Sequence, residues 1–178
     1  MADPLIRISE LSVAFGRGDA EVRAVSNVSF DIARGETLAL VGESGSGKSV
    51  SALSMMQLLP YPAAHHPTGS ITLNNEELVG ATDTKMQKIR GDRVAIVFQE
   101  PLTSLNPLHT IEKQVGEILL VHKKLDKDAA RARIIDLLTE VGLPNVEERL
   151  PAYPHQLSGG QRQRVMIAMA LANDPDLL

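Results

Sequence analysis

The stretch from Thr37 to Leu59 constrains the fold more than any other. An apolar run, Thr37-Leu38-Ala39-Leu40-Val41, leads into Gly42-Glu43-Ser44-Gly45-Ser46-Gly47-Lys48-Ser49, and an apolar-periodic segment follows from Val50 to Leu59. The pattern reads as strand, glycine loop, helix, with Val50, Leu53 and Met56 or Gln57, then Leu58 and Leu59, supplying the helix stripe. A loop of the form G-x-x-x-x-G-K-[S/T] in that setting is built for an anion: glycines let backbone N–H groups converge, and the following helix presents its positive end. The spacing lets Lys48 reach the β- and γ-phosphates of a nucleotide and puts the Ser49 hydroxyl where Mg²⁺ is ligated. The competing reading is a glycine-serine turn without function, but four fixed positions in a strand-to-helix setting oppose it. Two other glycine motifs fail. A dinucleotide fingerprint needs a glycine where Val50 stands, and Ser44 lacks the glycine two residues on that a nucleophile elbow requires.

Composition narrows the classes. A chain of 178 residues, 43% hydrophobic, can bury one good-sized core with a small satellite subdomain. The net charge of −4 argues against a nucleic-acid binder, and 3% aromatics without Trp against a base-stacking one. The absence of cysteine excludes disulfides and thiolate metal sites. Met1-Ala2-Asp3-Pro4 has no signal-peptide character, and no window approaches the run of about 18 apolar residues that a membrane span needs, so membrane contact is expected only through a partner.

Upstream, Leu5–Ile8, Leu11–Phe15 and Val22–Ile32 read as strands of a small antiparallel sheet, joined by Gly16-Arg17-Gly18-Asp19 and followed by the turn Ala33-Arg34-Gly35-Glu36. Downstream, Pro60 to Gly69 reads as a breaker-rich connection, and its adjacent His65 and His66 have poor spacing for a metal. Ser70–Leu73 alternates as a strand into an Asn74-Asn75 turn, and Arg93–Phe98 reads as a strand buried on both faces, ending in Gln99. The texture then turns helical. One helix is expected from Thr110 with Ile111, Val115, Ile118 and Leu119 inward. A second is capped by Asp126, packed through Ala130, Ile134, Leu137, Leu138 and Val141, and closed by Gly142 before Pro144. Lys123, Lys124, Lys127, Arg131 and Arg133 read as its solvated face rather than a nucleic-acid patch.

Leu157-Ser158-Gly159-Gly160-Gln161 opens a further amphipathic helix, with Val165, Ala168, Met169 and Ala172 inward and Arg162 and Arg164 nearer the surface. Ser158 can cap it, and two glycines leave the positive end of the helix open to an anion. Alone this is an ordinary capped helix; downstream of a phosphate loop it gains meaning. The phosphate loop, Val97-Phe98-Gln99-Glu100-Pro101 and the Leu157–Gln161 motif, in this order, resemble the nucleotide-binding subunit of ATP-binding cassette transporters. Phe98 to Pro107 and Tyr153 to Leu157 more narrowly resemble the ATPases of dipeptide, oligopeptide and nickel importers.

The resemblance implies an α/β P-loop NTPase core carrying an N-terminal antiparallel β subdomain and an inserted helical subdomain. The implied division is 1–100 for core and β subdomain, 101–156 for the helical subdomain and 157–178 for the signature motif and its helix. By resemblance, ATP and Mg²⁺ are held by Gly42, Glu43, Ser44, Gly45, Ser46, Gly47, Lys48, Ser49 and Val50, with Phe15 stacking on adenine unless it is core. Gln99 would ligand Mg²⁺ or the attacking water beside Ser49, and Lys48 and Gln99 would carry the chemistry. Ser158, Gly159, Gly160 and Gln161 would engage ATP on a second nucleotide-binding subunit in a head-to-tail dimer. The implied setting is the cytoplasmic face of a bacterial inner membrane, on permease subunits, with no nucleic acid. In the family an apolar strand ending in Asp and a catalytic Glu follows Asp174-Pro175-Asp176-Leu177-Leu178, so the chain reads as an N-terminal fragment with an incomplete core sheet that binds ATP without hydrolysing it. The alternatives are a DNA-repair or mechanical ATPase of the same type, disfavoured because no heptad run lies between Ser49 and Leu157, or a nucleotide-binding module without turnover.

Overall fold

The computed structural model describes residues 3–98, 104–123 and 125–178. The chain forms two compact units, Met1–Ile89 and Arg90–Leu178.

The first unit is built on an antiparallel sheet of strands β1 (Ile6–Phe15), β2 (Val22–Ile32), β3 (Ala64–Leu73) and β4 (Glu76–Glu77), in the order β2-β1-β3-β4. Alternation of Ile6 and Ile8 with polar neighbours buries one face, and Leu11, Val13 and Ala14 continue the core. The two short strands expected at Leu5–Ile8 and Leu11–Phe15 are one strand, because Glu10 takes φ +48 and the register to both neighbours shifts around it. Opposite that irregularity Gly69 sits at φ +101, and a Cβ there would fall 2.4 Å from the Leu11 Cα, so only glycine fits. β3 begins at Ala64, which corrects the expected Pro60–Gly69 connection. Pairing of His65 with Ala14 and of Ala64 with Phe15 recruits polar residues into the ladder, and Pro67, which has no N–H, falls where the register shifts. Asn74 and Asn75, at φ +49 and +65, form the expected tight turn into β4.

Helix α1 (Lys48–Met55) stops short of the expected Leu59. Gln57 takes φ +50, its N–H donates to Ser54 O and that of Leu58 to Leu53 O, the paired bonds of a Schellman ending formed without glycine. The largest correction lies just before the loop. Thr37–Val41 joins no ladder, and Leu38, Leu40 and Val41 are 38%, 42% and 92% exposed. An apolar run has the capacity for a strand but does not carry its own partner, and among the described residues none pairs with it. Helix α2 (Asp83–Ile89) closes the unit.

The second unit is helical: α3 (Ile111–Ile118) running into a π-helix (Leu119–Lys123), α4 (Lys127–Glu140), α5 (Val146–Arg149) and α6 (Gly159–Leu171). Its caps are those expected. Thr110 accepts from Lys113 N–H at 3.3 Å and Asp126 from Ala129 N–H at 2.9 Å, and Gly142 closes α4 at φ +73. Ile111, Val115, Leu119, Ile134, Leu137, Leu138, Val165 and Ala168 form one core, with Val141 and Met169 half-buried at its margin. Arg93–Phe98 is not the fully buried strand expected. Val94 makes single parallel bridges to Arg90 and Leu177, Val94 and Ala95 are buried, and Phe98 is 51% exposed.

Candidate functional site

Conformation requires glycine at Gly45, at φ +83 in open space, and conformation and space together require it at Gly47. A Cβ on Gly42 would lie 2.7 Å from Ser46 Oγ, closing the hollow of the loop. Gly47, the N-cap of α1 at φ +88, leaves no room either, since a Cβ would meet Ala24 O at 2.6 Å and Val25 Cγ2 at 2.9 Å. Ser46 N–H donates to Glu43 O at 3.2 Å, and the side chains of Ser44 and Ser49 are exposed, with Val50 half-buried behind them. Lys48 turns its ammonium back over the loop, donating to Gly42 O and Glu43 O, each at 2.7 Å, and to Ser46 Oγ at 3.2 Å. All these acceptors are uncharged, and the first turn of α1 holds no acidic residue, so neither the ammonium nor the helix dipole is neutralised by a carboxylate there. A lysine held by neutral oxygens gains charge-assisted bonds by exchanging them for phosphate oxygens, and the loop residues therefore fit a polyphosphate.

β2 links this loop to Phe15. Gly47 rests against Val25 of β2, and Phe15 pairs with Val22 three residues along the same strand, about 10 Å away at the rise of a β-strand. Phe15 is half-buried at the end of β1, outside the fully enclosed core. Gln99 lies outside the described residues, as do Glu100 to Thr103.

In the second unit Ser158 is the N-cap of α6 and forms a reciprocal box. Its Oγ accepts from Gln161 N–H at 3.3 Å, and Gln161 Oε1 accepts from Ser158 N–H at 2.9 Å. Gly159 and Gly160 are exposed, with nothing within 4 Å of where a Cβ would stand, so their faces are open to a large anion. Two arginines read from the sequence only as surface residues hold this element: Arg162 Nε donates to Leu157 O at 3.0 Å, and Arg164 reaches the end of α4. No sequence pattern marks them, because their acceptors are backbone carbonyls.

Among the described residues no group of three or more His, Cys, Asp or Glu is placed to hold a metal. His65 Nε2 lies 3.4 Å from a Glu21 carboxylate oxygen, and burial, with His65 beside it, pushes the His66 pKa below its ordinary value. No helix among the described residues is long and apolar enough to cross a membrane.

Comparison with known proteins agrees with this geometry. The chain is 56% identical over 98% of its length to the peptidoglycan transport ATP-binding protein YejF of Agrobacterium fabrum, covering 32% of that protein. It is 45% identical over 98% of its length to the oligopeptide transport ATP-binding protein OppD of Bacillus subtilis, covering 49% of it. The chain thus spans about a third of the first relative and about half of the second. Among solved structures, the ATP-binding cassette MJ0796, a dimer in a post-hydrolysis state bound to ADP and Pi, superposes with a TM-score of 0.81 at 30% identity, over 96% of this chain and 70% of that one. The fold is therefore that of an ABC cassette, a P-loop NTPase with an antiparallel β subdomain. The family model described as ABC transporter matches residues 25–178, and with a phosphate loop and a capped Ser-Gly-Gly helix in place, the chain belongs to the ABC transporter family.

Proposed function

We propose that this chain belongs to the ATP-binding and ATP-hydrolysing subunit of an importer that energises uptake of peptides or chemically similar solutes through membrane permease subunits. The observation that carries it is the Lys48 ammonium held over the loop by three neutral oxygens. Lys48 and the loop amides from Gly42 to Ser49 hold the β- and γ-phosphates, Ser49 ligands Mg²⁺ together with Gln99, and Phe15 packs on the base. Bound Mg²⁺ supplies positive charge across the phosphates. Lys48 adds a fixed charge to the oxygens that become more negative during transfer, and Ser158, Gly159, Gly160 and Gln161 act on ATP held by a second subunit. The dimeric cassette similar to this chain supports that arrangement, and the peptidoglycan and oligopeptide transport carried out by the relatives supports the cargo class. The site of action is the cytoplasmic face of the membrane, reached through the permease. The helical stretch 101–156 serves as the element between nucleotide and permease.

The test is titration calorimetry of Mg-ATP against the chain and against Lys48→Ala. Removing one charge-assisted contact should weaken binding by about 1.5–3 kcal/mol, roughly ten- to a hundredfold. Equal affinity in the two proteins would remove the nucleotide from this loop.

A further inference from the structure

The Ser158–Gly160 loop can act on a phosphate only if its amides point in one direction, and little in the loop itself fixes that direction. Open space surrounds the point where a Cβ of Gly159 or Gly160 would stand, so no side chain wedges them from that side, and the Ser158–Gln161 box is internal to the helix end, so it turns with α6. Val165 and Ala168 bury the inner face of α6, but apolar contact is not directional and allows a helix to roll or slide by a fraction of a residue.

Asn173 and Asp174 hold the turn after α6 by hydrogen bonds to Gly91 O and from Lys123 and Arg133, but within the helix itself, among the described residues, the directional contact to another element is made by Arg164. Its Nη1 donates to Val141 O at 2.7 Å and to Gly142 O at 2.9 Å, the carbonyls at the open end of α4. α4 has no basic residue in its own last turn, so the cation that complements its negative end comes from α6. Gly142 makes the seat: at φ +73 it turns the chain away, and a Cβ there would lie 2.4 Å from Arg164 Nη1. Arg164 stands five residues after Gly159, about 7.5 Å along the helix axis, close enough for a small rotation at the arginine to redirect the loop amides. Arg162 then ties the helix start to Leu157 O, carrying that orientation to the residue preceding the cap.

We infer that Arg164 is a positioning residue for the signature loop: seated on Val141 O and Gly142 O, it sets the direction in which Ser158, Gly159 and Gly160 face the phosphate of the opposite subunit. This inference rests on the proposed action of that loop in trans. It assigns Arg164 no contact with nucleotide.

Two measurements test it. By hydrogen exchange on the chain, Arg164→Ala should raise exchange at 161–163, the first amides of α6 that are hydrogen-bonded, by about tenfold, as expected for loss of a charged hydrogen bond, while the bonded amides of α1 stay unchanged. Arg164→Lys, which keeps a cation with donors for the two carbonyls, should restore most protection. Gly142→Ala, whose methyl takes the place of the guanidinium, should reproduce the loss. In the assembled ATPase, Arg164→Ala should lower kcat per bound nucleotide roughly ten- to a hundredfold with KM within about twofold, because the same chain's Lys48 site is untouched. Arg164→Lys should again recover. A residue that merely stabilised the fold would reduce the amount of active protein and leave kcat per bound nucleotide intact. Unchanged exchange at 161–163, exchange raised equally throughout the chain, or an unaltered kcat would each overturn the assignment. If the parent chain shows no Lys48-dependent ATP affinity, the nucleotide proposal fails on its own, and the exchange comparison still decides whether Arg164 orients the loop.

Discussion

Phe15 shows how one side chain can serve either the sheet or a ligand. It closes β1, pairs with Val22 and Ala64, and remains half-buried where Leu11, Val13 and Ala14 before it are fully enclosed. A half-buried ring suits a base, since stacking uses the flat surface and ignores the hydrogen-bonding edge. Phe15→Ala should therefore weaken ATP and GTP binding alike, by roughly 1–3 kcal/mol, measured by calorimetry on both nucleotides. A fall in melting temperature with nucleotide affinity intact in the folded fraction would make Phe15 a packing residue. Lys48 carries the opposite lesson, because the loop motif singles it out while its resting contacts with Gly42 O and Glu43 O are written nowhere in the sequence.

The elements most legible in the sequence are those whose ends are written locally. Thr110, Asp126 and Ser158 cap helices through their own side chains, and Gly142 ends α4 at a conformation glycine favours, so three helices of the second unit stand where the residues place them. α1 is shorter than its apolar stripe because Gln57, a residue with no special preference for positive φ, ends it. Long-range ion pairing was less legible still. Lys123 and Arg133 read as a solvated face, yet Lys123 of the π-helix and Arg133 of α4 both donate to Asp174, the Arg133 bond at 2.8 Å, tying two elements to the turn after α6. The hydrogen bond from Lys123, opposed by some burial and helped by the charge of Arg133, holds the Asp174 carboxyl below its ordinary pKa. A lowered folded-state pKa means stability that is present above the unfolded-state value and lost as pH falls through the folded one, here at and below about pH 4. Asp174→Asn keeps a residue suited to the observed φ of +54 and removes the charge. Its melting temperature should lie below the parent's at pH 7, with the gap narrowing as pH falls below about 4. The effect should be modest, because the Asp174 side chain is 61% exposed and screened, and a gap that persists at low pH would show that the turn and not the ion pair is responsible.

At the scale of the whole molecule, the runs that failed as strands share a cause. Thr37–Val41 and Arg93–Phe98 have the composition of strands covered on both faces, but a parallel strand is completed by neighbours distant in sequence, and composition cannot name them. Hence the antiparallel sheet, closed by short turns at Gly18 and at Asn74-Asn75, was largely legible, and the parallel part was not. The consequence for this 178-residue chain concerns association. Leu38, Leu40 and Val41 are all exposed, and none has the cover their type usually finds. An apolar run with unpaired backbone is a template for adding another strand. The chain should accordingly associate with rising concentration, and Leu38→Lys with Leu40→Lys should reduce that association by placing like charges along the shared edge. Sedimentation velocity across a concentration series reads this directly, with thermal melting as the control. Less association at an unchanged melting temperature is the expected result; a sharp fall in melting temperature would show that Leu38 and Leu40 belong to a core, and unchanged association would move the contact to another surface.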